Sequence, residues 1–195
     1  MGSASAGTAP RTRPASTTAS NRHGAIRTCA SSQANISSPL FFTHIRGAIG
    51  SAVQQTNCHP FRHDHWLFMH NGYINEFAAI KRDLILAVDP SLYPQIQGQA
   101  DTEVLFYLAL TFGLEDDPPA AVEQAIGLVE AVAGRHDVPH PFQGTIATTD
   151  GESTWAFRCS SEHNSRSLFY TTDVPTLRER YPTGKSSENS RTTRG

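Results

Sequence analysis

Apolar positions are concentrated between residues 39 and 182, and their spacing changes several times along that block. Residues 40–44 read as a buried strand and residues 66–70 as a second. From Ile74 to Val88 apolar side chains recur at 74, 77, 80, 84 and 88, the spacing of one helix face. Val104, Leu105, Leu108, Ala109 and Phe112 mark a second helix, which Gly113 ends. A third starts at Pro119 behind Asp117, carries Val122, Ile126, Val129 and Ala133 on one face, and stops at Gly134. Residues 145–149 and 154–158 are strand-like and join through Asp150-Gly151, a hairpin dipeptide. Residues 168–171 add another strand. Strands, then helices, then strands again predict an α+β fold with helices layered on a mostly antiparallel sheet.

Composition divides the 195-residue chain into three parts. All 17 aromatic residues lie in 39–182, so only that block carries the side chains that offset chain entropy on burial. Residues 1–38 hold four Arg and no acid, residues 39–182 hold nine basic and 17 acidic side chains, and residues 183–195 hold three basic and one. The core block is therefore acidic, which argues against charge-driven nucleic-acid binding. Both ends are polar and low in complexity, and are expected to be disordered. The leader is Arg- and Ser-rich like a transit peptide but lacks an amphipathic stripe. No apolar run approaches the ~18 residues of a membrane span. Cys29, Cys58 and Cys159 are too few and too scattered for a disulfide framework. A cytoplasmic protein is expected.

Three segments carry candidate chemistry: His44-Ile45-Arg46, then Asn57-Cys58-His59-Pro60-Phe61 leading to His70-Asn71-Gly72, then Asp101-Thr102-Glu103. Asn-Gly is a turn dipeptide, yet an Asn side-chain amide and a nearby backbone N–H also suit an oxyanion. His70 reads as an anchor at the strand end. Arg46 is placed either to clamp a carboxylate through two parallel hydrogen bonds or to form a structural ion pair. Asp101 reads first as a helix N-cap and otherwise as the partner of a substrate ammonium. Together Arg46 and Asp101 suit an α-amino acid. Cys58 and the histidines at 59, 63, 65 and 70 match no zinc spacing, so no metal is expected, and no cofactor. Cys58 beside His59 reads as structural, because adjacent residues on extended chain point apart.

In the order and spacing of these segments the chain resembles the class II glutamine amidotransferases of the N-terminal-nucleophile hydrolase superfamily, over roughly residues 39–182. The resemblance implies an α-β-β-α sandwich, here partial at both ends. It implies glutamine or a γ-glutamyl small molecule as substrate, with its α-carboxylate at Arg46 and its α-amino group at Asp101. Asn71, by its side chain, and Gly72, by its N–H, would form the oxyanion hole. An N-terminal cysteine in such enzymes attacks the amide, and its own α-amino group, with a pKa near ~7.7–8, takes the proton. Here Gly2 follows Met1, and Cys29 lies too close to His44 for the opening strands, so the nucleophile is missing from its expected place. Ile49 stands where relatives commonly carry Thr. A relative that binds without catalysis is the alternative. No synthase domain is fused, so water or a separate ammonia-accepting synthase takes the product.

Overall fold

A computed structural model describes residues 15–16, 40–44 and 55–180. Arg46, Ile49, Cys29 and most of both polar ends lie outside the described residues. Two short strands, β1 (Ala15–Ser16) and β2 (Phe41–Phe42), pair in parallel. The main sheet has four antiparallel strands in the order β3 (Phe61–His63), β4 (Trp66–Ile74), β5 (Phe142–Thr149) and β6 (Thr154–Ser160). Between β4 and β5 come α1 (Phe77–Leu86), α2 (Asp101–Thr111) and α3 (Pro118–Arg135), and α4 (Val174–Arg180) follows β6. The mixed α/β character and the antiparallel sheet agree with the sequence pattern.

Alternation along the strands decides where the core lies. Trp66, Phe68 and Ile74 on β4, with Phe142 and Ile146 on β5, face the helices and are all buried. Phe68 stacks on Phe106 of α2 with ring centroids 5.2 Å apart. Helix α2 is buried from Thr102 to Ala109 because it lies between the sheet and the other helices, so it is apolar all round rather than striped. Helix α3 starts as its sequence asks: Asp117 is the N-cap, accepting from the Ala120 N–H at 3.1 Å, with Pro118 in the first turn. It buries Val122, Ile126, Val129 and Ala133. Among the described residues, no helix is long and apolar enough to cross a membrane.

Three expectations are corrected. Strand β4 does not end at His-Asn-Gly but runs on to Ile74, pairing Asn71 with Thr145 and Gly72 with Gly144. Helix α1 accordingly begins at Phe77, after Glu76 in the left-handed region (φ 46°), not at Ile74. Residues 168–171 are irregular rather than a strand, with Phe169 and Tyr170 almost fully exposed.

Candidate active site

The site forms along one edge of β4, beyond the end of β3. In an antiparallel strand successive N–H groups point to opposite sides. Asn75 donates to Pro141 O, on the β5 side, at 2.8 Å. Ile74 donates instead to Asp101 Oδ2, at 2.9 Å. The N–H of Gly72, two residues before Ile74, therefore points the same way as that of Ile74, off the sheet edge and toward the Asp101 side. Asn71 lies on the sheet face away from the helices, with Tyr73 two residues along, and both are exposed. The Gly72 N–H thus points off the strand edge, and the Asn71 side chain lies on the open face beside it.

Asp101 is the first residue of α2, and the N-cap position falls to Ala100. That corrects its first reading as the cap. Its carboxylate joins two layers, with Oδ2 on the Ile74 N–H and Oδ1 accepting from the Thr102 N–H at 2.7 Å. An ionised carboxylate has about four lone-pair sites, so acceptor capacity remains for an ammonium group. Thr102 and Glu103 are buried beside it.

Asn57 and Glu103 are positioning residues that the motif pattern alone does not explain. Glu103 takes the third position of α2 and reaches back, its two oxygens accepting from the N–H groups of Gln97 and Gly98 at 2.8 and 2.7 Å. Asn57 Oδ1 accepts from the Gln99 N–H at 2.7 Å. Gly98 is squeezed between them: a Cβ there would lie 2.6 Å from Asn57 Oδ1 and 2.8 Å from Glu103 Oε2. Two distant motifs thus clamp the loop that delivers Asp101. Burial raises the Glu103 pKa, and the two loop N–H groups pull it back. An acid three residues past a helix start is the sequence signal for this role.

His44 and His59 also meet, with His59 Nδ1 3.0 Å from His44 Nδ1 and the rings edge to face. Arg46 follows two residues on, outside the described residues. Cys58 is buried, and Cys159 sits on the helix-facing side of β6 with its pKa raised by burial. His63 bonds Gln95 Oε1 through Nδ1 at 2.9 Å. Among the described residues no group of three or more His, Cys, Asp or Glu is placed to hold a metal.

His70 is buried, and its ring stacks on Phe142 with centroids 5.3 Å apart and planes 12° off parallel. Nε2 lies 3.3 Å from Gln143 O and Nδ1 lies 3.1 Å from Thr102 Oγ1. A carbonyl only accepts, so Nε2 carries the proton and Nδ1 of the neutral ring accepts from the Thr102 hydroxyl. Burial lowers the His70 pKa, while the Asp101 charge and the Gln143 carbonyl oppose that shift. With its folded pKa below the unfolded value of 6.5, the unfolded chain binds the extra proton first. The His70 contribution is therefore complete above about pH 6.5 and declines as pH falls toward the folded pKa. Urea unfolding at pH 7.5, 6.5 and 5.5 should show stability falling on acidification, with a shallower fall in His70→Gln. Glu103 titrates with the opposite sign in both proteins and drops out of the comparison. Equal slopes would show that His70 is not held neutral by burial.

Comparison with known proteins places this geometry in context. Residues 13–166 match the family model described as "Glutamine amidotransferases class-II". The "Probable glutamine amidotransferase DUG3" of Saccharomyces cerevisiae is 41% identical over 73 residues, covering 37% of this chain and 20% of that protein. The solved structure of a glutamine aminotransferase class-II domain protein from Silicibacter pomeroyi superposes with a TM-score of 0.55 at 38% identity, covering 56% of this chain and 51% of that one. The chain thus spans about a fifth of the yeast relative and half of the bacterial one.

Proposed function

The chain belongs to the class II glutamine amidotransferases, and from that premise we propose that its site binds glutamine or a γ-glutamyl compound and hydrolyses the side-chain amide. The observation that carries the reading is the spacing along the β4 edge. Gly72 and Ile74 are two residues apart, about 6.6–6.8 Å along a strand, and Ile74 carries the Asp101 carboxylate. An amide oxygen on the Gly72 N–H and an ammonium on Asp101 would then lie along one strand edge, within the reach of a single amino-acid side chain.

In this reading Arg46 holds the α-carboxylate and Asp101 the α-ammonium. Asn71 Nδ2 and Gly72 N–H stabilise the oxyanion. The attacking thiol of such a reaction is that of an N-terminal cysteine, which this sequence does not carry in its expected place, and its α-amino group takes the thiol proton. Attack on the amide carbon gives a tetrahedral oxyanion, which expels ammonia with the proton from that ammonium and leaves a thioester. Water then attacks the thioester carbon and releases the product acid and the thiol. Ammonia passes to water or to a separate synthase, and no cofactor or metal takes part. The α-β-β-α sandwich belongs to the same proposal, its second sheet covering the face that carries Asn71.

Calorimetric titration with glutamine separates binding from turnover. The unmutated chain should bind glutamine, and Asp101→Asn should weaken binding about 10- to 100-fold, the worth of a hydrogen bond to a charged group. A flat trace with the unmutated protein rejects the site. Binding without ammonia release reduces the reading to a binding protein.

A further inference from the structure

We propose that His70 is a positioning residue, whose bond to Thr102 sets the distance between the Gly72 N–H and the Asp101 carboxylate and so the length of amide side chain that is accepted. The inference rests on reading those two groups as the ends of a glutamine site. They belong to different layers: Gly72 lies in β4, while Asp101 opens α2. A site that separates two substrates by one methylene has to hold its ends to within about 0.5 Å. Elements that only pack together slide more easily than that; the Asp101–Ile74 bond is one directional tie, and His70 supplies a second that reaches Gly72 itself.

The link runs through buried side chains. His70 Nδ1 accepts from Thr102 Oγ1 at 3.1 Å, and its Nε2–H donates to Gln143 O at 3.3 Å. Thr102 is tied to Asp101 Oδ1 by its N–H at 2.7 Å, while its hydroxyl proton goes to His70. The imidazole has no room to turn. It is stacked on Phe142 and lies across Gly72 and Gly144, which face each other in β4 and β5 with no Cβ between them and the ring. A displacement of the start of α2 is therefore passed to the ring, and from the ring to Gly72. His70 lies on the helix side of the sheet, opposite Asn71, so it acts on the reacting amide only through these neighbours.

The test uses Thr102→Val, which keeps the side-chain shape and removes the hydroxyl, with Thr102→Ser as the rescue. The valine variant should raise KM for glutamine about tenfold, change kcat by less, and narrow the preference for glutamine over asparagine by a similar factor; the serine variant should restore all three. Unchanged kinetics in a folded valine variant would overturn the proposal. A second arm needs no substrate. The ¹⁵N–¹H resonance of Gly72, which does not bond Thr102, should move in Thr102→Val, return in Thr102→Ser, and stay put when valine is added to a His70→Phe background. A Gly72 signal indifferent to Thr102 also overturns the link. Loss of glutamine binding together with an intact Gly72 response would instead reject the glutamine reading and retain the link.

Discussion

Replacing Asn71 with alanine should lower kcat for ammonia release from glutamine by about 10²–10³-fold, the cost of one oxyanion donor, while KM moves severalfold at most. The ground-state carbonyl is a weaker acceptor than the oxyanion, so the Asn71 amide contributes mainly in the transition state. The structure makes the experiment clean. Asn71 is exposed on the sheet face away from the helices, and its amide makes no side-chain hydrogen bond among the described residues. Thermal unfolding of Asn71→Ala beside the parent shows that a lost rate is not a lost fold. Asn71→Asp is the companion: it keeps the shape but faces the oxyanion with a like charge, and should be at least as slow. Steady-state ammonia release with glutamine in excess decides the matter. A fall of less than tenfold in Asn71→Ala would remove the side chain from the oxyanion hole and leave Gly72 N–H as the sole donor on β4.

The same strand shows what the sequence could and could not convey. Local signals worked where the structure obeys them locally. Asp117-Pro118 starts α3 because a cap and a proline act within one turn, and Asp150 and Gly151 lie between β5 and β6 because the chain reverses there. Asn71-Gly72 misled because a turn preference is weak beside a full ladder of pairing with β5. The glycine is needed there for the close approach of His70 and β5, not for a positive φ. Asp101 looked like a cap because acids favour helix starts, yet the cap lies one residue earlier and the carboxylate reaches across to β4. Residues 168–171 have strand composition, but pairing depends on a partner that composition does not specify. The Glu103 half of the clamp has a local signal, but its pairing with Asn57 does not, because the two residues are 46 apart and meet through the backbone of a third segment.

Gly72→Ala is the substitution expected to harm the fold most. A Cβ at position 72 would lie 2.6 Å from Gly144 Cα and 2.5 Å from His70 Nε2, and nearer still to Gln143 O. Two of these three neighbours are backbone atoms of β5, so no rotamer change relieves them. Either β4 and β5 separate, or the His70 ring leaves its place on Phe142 and gives up its bonds to Gln143 and Thr102. Overpacking ordinarily costs 1–3 kcal/mol, and a clash with main chain in the central strand pair belongs above about 3 kcal/mol. For a chain of this length that lowers Tm by about 10 °C. The same change tilts the Gly72 N–H, so glutamine turnover measured well below the new Tm should fall as well. Gly144→Ala meets chiefly the His70 side chain and should cost less, and Ala added to a His70→Ala background at position 144 should cost less again. The ordering, with Gly72→Ala worse than Gly144→Ala and only the latter relieved by trimming His70, is read from thermal unfolding of the parent, the two glycine variants, His70→Ala and the two double variants. A Gly72→Ala protein that melts within about 2 °C of the parent, a difference below about 1 kcal/mol, would mean that β4 and β5 are not packed as closely as described.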